Sequence, residues 1–234
     1  MKFTFIPFFS FLLLLSSVNA SEATEKVWTE PVVVEPKYDG VPVAAPAGAV
    51  ILFDGVDASK WKQLPRKEDA DQTDRFRWKV ENGYMEVVPR SGMISLLQPV
   101  ITSGHLHIEW ATPAEVKGNG QGRGNSGIFI GGFPELQVLD SYENKTYFDG
   151  QAGAFYKHRP PLVNACRNPG EWQCYDIHIE RAKTAGPSVV TVYQNNVLVQ
   201  DHEKFPGEVK AGLLQLQDHL NPVRFRNIWF KPAP

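Results

Sequence analysis

The stretch from Gly124 to Asp140 reads GNSGIFIGGFPELQVLD, and its pattern restricts how the rest of the chain can be arranged. Two short apolar runs flank a Gly-Gly-Phe-Pro turn, which predicts a pair of β-strands. In the second run Glu135, Gln137 and Leu139 recur every second residue, so their side chains lie on one face of the predicted strand. Burying an unpaired carboxylate is costly. This face is therefore either exposed to water or part of a binding site.

The composition is that of a chain that can bury a full hydrophobic core. Its 234 residues are 42% hydrophobic, and all-β sandwiches of roughly 200 residues commonly form one domain. The net charge of -2 comes without a basic cluster, so nucleic acid is excluded as the expected partner. The sequence also lacks a glycine loop of the kind that cradles phosphate. Small polar molecules are the ligands that fit best.

The N-terminal segment has the features of an export signal. Lys2 precedes an apolar run that continues to Leu15, and residues 16–20 are small or polar residues suited to cleavage. Pro7 interrupts the run, which is shorter than the ~20 residues that a membrane span needs. We therefore expect residues 1–20 to be a cleaved signal peptide. The mature protein is then periplasmic or secreted, with no membrane anchor.

Residues 21–48 differ in composition from the segments on either side. Four prolines interrupt them, at positions 31, 36, 42 and 46. Prolines at this density cannot pair into the centre of a sheet. We expect an extended arm or linker without catalytic residues, followed by one domain over residues 49–232.

Strand and turn signals recur through that domain. The strongest joins residues 76–80 to residues 84–88 through Asn82-Gly83, a dipeptide typical of a tight hairpin. Further alternating or apolar segments occur at residues 49–53, 105–110, 173–179, 189–193, 197–199, 213–219 and 223–230. Helical periodicity is not sustained for more than about two turns. The pattern predicts an all-β sandwich of two antiparallel sheets.

Several short motifs occur in an order that resembles the 3-keto-disaccharide hydrolase family. The motifs are LFDG at 52–55 with Trp61, Trp78 with NG at 82–83, GNSGI at 124–128, ELQVLD at 135–140, PGEWQ at 169–173, and LQDH at 216–219 with RFRNI at 224–228. Together they span residues 49–232. The resemblance implies a concanavalin-like jelly roll, the sandwich of lectins and glucanases. It also implies hydrolysis of oxidised glycosides outside the bacterial cytoplasm.

The residues themselves suggest how such a substrate would be cleaved. Ordinary glycoside hydrolysis uses two carboxyl groups about 5–5.5 Å or about 6.5–9.5 Å apart. Glu135 and Asp140 are the candidate pair, but on a regular strand their Cα atoms would lie ~16 Å apart with side chains on opposite faces, so a bulge would be needed. A 3-keto sugar relaxes this demand because the ketone acidifies the hydrogen at C2. Glu135 could then act as a single base, with departure of the glycosidic oxygen followed by addition of water.

This elimination also needs a group that stabilises the enolate. On the strand at 213–219, a polar stripe places Gln215, Gln217 and His219 on one face. His219 is our preferred second catalytic group, and the two glutamines are expected to bind substrate. Further expected substrate ligands are Asn125, Gln137, Tyr156 and Arg159, with Gln137 orienting Glu135 and Arg159 placed to hold developing negative charge.

Metal sites are a less favoured interpretation of the polar residues. His105, His107 and Glu109 alternate on one face of a strand whose other face carries Trp110, which we expect to be buried. Nothing else in the sequence completes a metal site there, so a solvated outer face explains these residues better. Asp140 with a loop at residues 149–150 could hold calcium, but the oxygen-rich spacing of a dedicated calcium site is missing. We expect no cofactor.

Cys166 and Cys174 are the only cysteines, and an exported protein would experience an oxidising compartment. The Asn168-Pro169-Gly170 turn between them could fold the chain back so that they form a disulfide, provided that their Cα atoms come within ~7 Å.

The sequence is compatible with two functions from different classes. The first is an exported enzyme that cleaves 3-keto-glycosides, and the second is a non-catalytic carbohydrate-binding module of the lectin type. Convergence of Glu135 and His219 on one cavity would favour the enzyme. Exposed aromatic rings beside a pocket without ionisable groups would favour the binding module. The expected partner is a small sugar in both cases, and the oligomeric state is left open.

Overall fold

The computed structural model describes residues 27–68, 73–182, 186–206 and 211–234. The expected signal peptide and the beginning of the arm lie outside these residues. The strands are β1 Val32–Val33, β2 Val50–Phe53, β3 Trp61–Leu64, β4 Lys79–Glu81, β5 Tyr84–Glu86, β6 Met93–Leu96, β7 Gly104–Ala111, β8 Ser126–Ile130, β9 Leu136–Val138, β10 Val163–Asn164, β11 Gln173–Glu180, β12 Ser188–Gln194, β13 Val197–Phe205, β14 Leu214–Leu216 and β15 Arg224–Pro232. Helix within the described ranges is limited to two 3-10 turns, Gly120–Gly122 and Phe148–Gly150.

Two antiparallel sheets form the sandwich. The larger sheet has the strand order β13-β12-β11-β7-β15-β5-β4, and β2 also pairs with β15. The smaller sheet has the order β3-β6-β14-β8-β9. The predicted Asn82-Gly83 hairpin joins β4 to β5, with both turn residues at positive φ as such a turn requires. The all-β, concanavalin-like sandwich expected from the sequence is confirmed.

The core lies between the two sheets and is built by strand alternation. On β7 the side chains of Leu106, Ile108 and Trp110 are fully buried, as predicted for Trp110. They belong to one apolar cluster with Ile128 of β8 and Leu216 of β14. Burying each such side chain contributes roughly 1.5–3 kcal/mol. Because these residues point inward, the residues between them on β8 and β14 point away from the core, on the outer face of the smaller sheet.

The proline-containing arm runs along the larger sheet instead of joining its centre. Its strand β1 forms a short parallel pair with β10. Further along, the Lys37 amide donates to the Asn195 carbonyl at 2.9 Å. The Val43 amide then donates to Glu109 Oε1 at 2.9 Å, and Arg226 Nη2 donates to the Gly40 carbonyl at 2.7 Å. The arm therefore covers the outer face of β7 and β15.

This cover corrects one expectation from the sequence. We expected the polar residues of β7 to lie on a solvated face, but His107 and Glu109 are completely buried. His107 Nδ1 lies 2.8 Å from Asp176 Oδ1, and Glu109 Oε2 accepts from Arg226 Nε at 2.6 Å. His105 is partly buried and also contacts Asp176 Oδ1, at 2.7 Å. These polar side chains form a hydrogen-bonded cluster under the arm, which removes them from water.

The disulfide allowed by the sequence is not formed, and both cysteines are free and buried. Cys166 Sγ lies 3.3 Å from Gln173 Nε2, whereas Cys174 Sγ lies 3.8 Å from Asp176 Oδ2. Gln173 and Cys174 are neighbours on β11, so their side chains point to opposite faces. The two sulfurs are therefore on different sides of the strand. Burial raises the pKa of the Cys166 thiol to about 11.

Candidate functional site

A small polar cavity of about 110 Å³ lies on the outer face of the smaller sheet. It brings together six residues that the sequence analysis selected from distant parts of the chain, and it adds one glutamine. The lining residues are Gln121, Asn125, Glu135, Gln137, Tyr156, Gln217 and His219. The cavity therefore combines one carboxylate, one imidazole, one phenol and four amides.

Strand register explains why residues so far apart in sequence meet here. Gly127 of β8 pairs with Gln137 of β9. On its other side, the Gln217 amide donates to the Gly127 carbonyl at 3.0 Å, which continues the ladder between β8 and β14. Gln217, Gly127 and Gln137 thus form one row across three strands. Their apolar neighbours point into the core, so this row points outward into the cavity.

Glu135 lies directly over the glycine of that row. A Cβ atom added to Gly127 would be 1.9 Å from Glu135 Oε1, so the carboxylate occupies the space that a side chain would need. No hydrogen bond or ion pair reaches this carboxylate from the described residues. Burial of the side chain is the cause that raises the pKa of Glu135 to about 7. A carboxyl group with this pKa is suited to accept a proton near neutral pH.

The amides around Glu135 are oriented by contacts with backbone carbonyls, which can only accept hydrogen bonds. Gln121 Nε2 donates to the Gly150 carbonyl at 2.8 Å, so its Oε1 is left to accept from Gln137 Nε2 at 3.0 Å. Asn125 Nδ2 donates to the Gln121 carbonyl at 2.7 Å. Asn125 and Gln137 therefore both use their nitrogens in the network, and Asn125 Oδ1 accepts from Gln137 Nε2 at 3.5 Å. Gln137 Oε1 has no hydrogen-bond partner among the described residues.

Gln217 supplies a further acceptor. Its Oε1 is buried and has no hydrogen-bond partner among the described residues. Buried polar atoms are nearly always paired, so an exception in a cavity indicates a place that a ligand or water fills. Together with Gln137 Oε1, and with the remaining lone pair of Asn125 Oδ1, this arrangement matches a ligand that carries several hydroxyl donors, as a sugar does.

His219 lies on a short loop that follows β14, and its side chain is exposed at the rim of the cavity. The preceding Asp218 holds the loop in place. Its Oδ1 accepts from the Leu220 amide and its Oδ2 accepts from the Gly92 amide, each at 2.9 Å. Leu220 has a positive φ of 68°, so the chain turns sharply just after His219. The loop is thereby fixed with His219 at the rim of the cavity that also contains Glu135.

Tyr156 contributes a phenol to the cavity, and it has a partner that the sequence analysis did not select. The hydroxyl groups of Tyr156 and Tyr147 are 2.7 Å apart. Lys157 Nζ lies 3.2 Å from the centre of the Tyr147 ring and 5.8 Å from the centre of the Tyr156 ring. The Tyr156 amide also donates to the Glu135 carbonyl at 2.8 Å, which ties the two residues together through the backbone.

Three of the selected residues lie outside this cavity. Asp140 is buried and accepts from Arg123 Nε at 2.6 Å, in a neighbouring cavity. β9 pairs with β8 without a register shift, and Asp140 does not line the cavity that contains Glu135. Arg159 Nε is paired with Glu203 Oε1 at 2.8 Å. Gln215 lines a different cavity further along the sheet.

The polar groups considered for calcium are held by cations of the protein itself. The Asp140 carboxylate is paired with Arg123, and Asp149 Oδ1 lies 3.4 Å from Lys157 Nζ.

No helix within the described ranges is long and apolar enough to cross a membrane.

Three residues of the site were missed, and only one of them had a usable signal. An isolated glycine inside a strand often marks the close approach of another group, which is what Gly127 does for Glu135. Gln121 lies in the 3-10 turn Gly120–Gly122 and Tyr147 lies in a loop, and neither has a motif around it. Their roles depend on where those loops fold against the sheet.

Comparison with known proteins shows what the chain is similar to. The model of the 3-keto-alpha-glucoside-1,2-lyase-like domain matches residues 48–231. A crystal structure from Parabacteroides distasonis ATCC 8503, provisionally assigned as a glycosyl hydrolase, has 36% sequence identity and a TM-score of 0.71, covering 91% of this chain and 96% of that chain. A second protein of that organism, with the same provisional assignment, has 19% identity and a TM-score of 0.58, covering 80% of this chain and 94% of that one. The second likeness concerns the fold alone.

No curated protein matches this chain. The family match and the first structural relative support a carbohydrate-active function. The amide-lined cavity with its single carboxylate is consistent with that function. The match over residues 48–231 covers most of the chain, which therefore belongs to the family of 3-keto-alpha-glucoside-1,2-lyase-like domains.

Proposed function

We propose that this protein cleaves the glycosidic bond of 3-keto-glycosides and 3-keto-disaccharides, with Glu135 as the catalytic base. The observation that carries the proposal is the state of the Glu135 carboxylate. It lies without a hydrogen-bond partner among the described residues, its pKa is raised to about 7, and it faces a cavity lined by amides and an imidazole. This is the environment that a base working near neutral pH requires.

The chemistry follows from the ketone at C3 of the sugar. Glu135 removes the proton at C2, and the electron pair forms an enolate that extends to the C3 oxygen. That pair then forms the C1–C2 double bond while the bond from C1 to the glycosidic oxygen breaks, and the leaving group takes up a proton. Water adds at C1, and a proton returns to C2. In this proposal His219 and the site amides hold the C3 oxygen and the hydroxyl groups of the ring.

The arrangement of carboxylates favours this route over ordinary glycoside hydrolysis. A retaining or inverting mechanism needs a second carboxyl group within about 5–9.5 Å of the first, across the scissile bond. Among the residues that the structure describes, Glu135 is the single carboxylate lining the cavity. Asp140, the alternative partner, is neutralised by Arg123 in a neighbouring cavity. A one-base elimination uses the groups that are present.

The N-terminal sequence further supports a place of action outside the cytoplasm.

The test compares Glu135→Gln with wild type on a 3-keto-disaccharide and on its unoxidised parent. Glutamine keeps the shape of the side chain but cannot accept the proton, so we expect turnover to fall by roughly 100-fold or more while sugar binding is retained. Glu180→Gln is the matched control, because Glu180 is an exposed carboxylate on β11. Release of the leaving sugar is the measurement, with circular dichroism to verify the fold. Near-normal turnover by Glu135→Gln contradicts the assignment.

The carbohydrate-binding module remains the second candidate because Gln217 Oε1 and Gln137 Oε1 are acceptors without a partner among the described residues. These groups would hold a sugar whether or not it reacts. If wild type and Glu135→Gln both bind the 3-keto-disaccharide and neither releases product, the binding module is the correct reading.

A further inference from the structure

Tyr147 and Tyr156 form a hydrogen-bonded pair that has no step in the mechanism above. Tyr156 lines the cavity, half-buried beside Glu135, and Tyr147 stands behind it, partly exposed. Their hydroxyl oxygens are 2.7 Å apart, and each ring lies close to Lys157 Nζ. The Tyr156 phenol therefore faces the cavity. The Tyr147 phenol contacts Tyr156 from the solvent side.

Either of the two phenols can donate the hydrogen bond that joins them. Partial burial, the contact with Tyr156 and the negative charges of Asp149 and Glu135 raise the pKa of Tyr147. Tyr147 therefore keeps its proton and can donate it to the Tyr156 oxygen. When it does, the hydrogen of Tyr156 is free to point into the cavity.

Elimination needs a proton source that is distinct from Glu135. A sugar alkoxide is a poor leaving group, so its oxygen must be protonated as the bond to C1 breaks. In the mechanism proposed above, Glu135 keeps the C2 proton until it returns it to C2 in the hydration, so a second group has to protonate the glycosidic oxygen. Of the other groups lining the cavity, the amides cannot donate a proton to an alkoxide. Tyr156 and His219 remain, and His219 lies at the exposed rim.

We propose that Tyr156 is the catalytic acid that protonates the departing glycosidic oxygen, and that Tyr147 is a positioning residue that holds Tyr156 in the donating orientation. This inference rests on the proposed function and adds to it the group that makes an unactivated sugar leave. In this scheme His219 keeps the role of holding the C3 oxygen of the sugar.

The proton balance closes over one turnover. In the elimination, Glu135 takes the C2 proton, the C1–O bond breaks, and the Tyr156 hydroxyl gives its proton to the leaving oxygen. The Tyr156 phenolate then accepts a hydrogen bond from Tyr147, with the Lys157 ammonium nearby. In the hydration, water forms the new bond to C1 and gives a proton to the Tyr156 phenolate, while protonated Glu135 returns its proton to C2. Both groups end in their starting forms.

The test varies the leaving group while the glycone stays the same. One substrate is a 3-keto-disaccharide, and the other is a 4-nitrophenyl 3-keto-glucoside, whose leaving group departs without protonation. For Tyr156→Phe we expect release from the disaccharide to fall by roughly 100-fold, and release of nitrophenolate to stay within about threefold of wild type. Tyr147→Phe should show the same selectivity with a smaller loss, of about tenfold. Tyr193→Phe on β12 is the matched control, because its ring lies on the larger sheet.

Each alternative result has a distinct meaning. An equal loss by Tyr156→Phe on both substrates would mean that the phenol acts in binding or structure, which overturns the inference. No loss on either substrate overturns it as well, and then His219 becomes the acid to test. If wild type releases product from neither substrate, the proposed function fails first. Thermal unfolding of each variant shows whether the fold is retained.

Discussion

At the scale of single residues, the absence of a side chain at Gly127 determines where the carboxylate of Glu135 can lie. Gly127 is flanked by Gln137 on one side and Gln217 on the other, and the space above it is filled by the Glu135 carboxylate. Neither neighbour donates a hydrogen bond to that carboxylate. Burial without a donor is what raises its pKa, so the glycine and the raised pKa belong to the same local arrangement.

Gly127→Ala is therefore expected to reduce activity more than stability. The added methyl group would lie 1.9, 2.6 and 2.9 Å from Oε1, Cδ and Cγ of Glu135, so this flexible side chain would have to move away from the strand. A displacement of about 1 Å from the reacting geometry can cost about 100-fold in rate. We expect turnover to fall by tenfold to about 100-fold, with the unfolding free energy changed by less than about 1 kcal/mol.

The measurements for Gly127→Ala are release of the leaving sugar and chemical denaturation of the same preparation. Gly122→Ala is a suitable control, because no atom lies within 4 Å of a Cβ placed there. A Gly127→Ala protein with normal turnover would mean that the position of the Glu135 carboxylate is not critical.

At the scale of elements, strand β7 presents an apolar face to the core and a polar face to the arm. The polar face would be unfavourable if it were buried without partners. The arm and β15 provide them, since Glu109 accepts from Val43, Asn227 and Arg226 at 2.9, 2.6 and 2.6 Å. His107 also stacks on Trp229, with ring centres 4.9 Å apart. The arm is thus an integral part of the larger sheet's packing.

Glu109→Gln should lower stability at neutral pH and leave activity unchanged. Burial alone would raise the pKa of Glu109, but hydrogen bonds from His107, Asn227, Val43 and Arg226 lower it to about 2. A lowered folded-state pKa means that the stabilisation is present above the unfolded value of about 4.3 and is lost as the pH falls toward 2. Removing the charge leaves the Arg226 guanidinium without its carboxylate partner, so we expect a loss of about 2–4 kcal/mol at pH 7.

Chemical denaturation at several pH values measures this effect. The difference between wild type and Glu109→Gln should shrink as the pH is lowered from 5 toward 2. Glu86→Gln is the matched control, because the pair of Glu86 and Arg224 has a similar distance of 2.7 Å but is more exposed. It should change stability by less than about 1 kcal/mol. Equal effects of the two variants would contradict the role given to the arm.

At the scale of the whole molecule, the two polar clusters lie on opposite outer faces of the sandwich. The site with Glu135 is on the smaller sheet, and the cluster around Glu109 is on the larger sheet, with the apolar core between them. The two clusters also have opposite electrostatic signatures, because the carboxylate of one has a raised pKa and that of the other a lowered pKa. Activity and stability should therefore respond differently to pH.

Activity should rise with pH through about 7, because Glu135 must be ionised to act as a base. The contribution of Glu135 to the unfolding free energy should show the opposite trend with pH. Its folded-state pKa lies above the unfolded value, so its contribution is present at low pH and is lost as the pH rises through about 7. We expect Glu135→Gln to be more stable than wild type by about 1–3 kcal/mol at pH 8 and equal to it near pH 4.

The check is a pH series of kcat/KM for wild type, together with unfolding free energies for wild type and Glu135→Gln. A stability difference that does not change between pH 4 and pH 8 would show that Glu135 is not held in a desolvated environment.

The sequence by itself determined the features that depend on neighbours along the chain. Alternation identified the strands and the sandwich, Asn82-Gly83 identified a hairpin, and period two placed Glu135 and Gln137 on one face. The tertiary structure decided which strands lie side by side, which brought Gln217 and Gly127 into one row with Gln137. It also paired Asp140 with Arg123 and covered His107 with the arm. The physical reason is that the side-chain face is set by local backbone geometry, whereas register and cover depend on packing between segments that are distant in sequence.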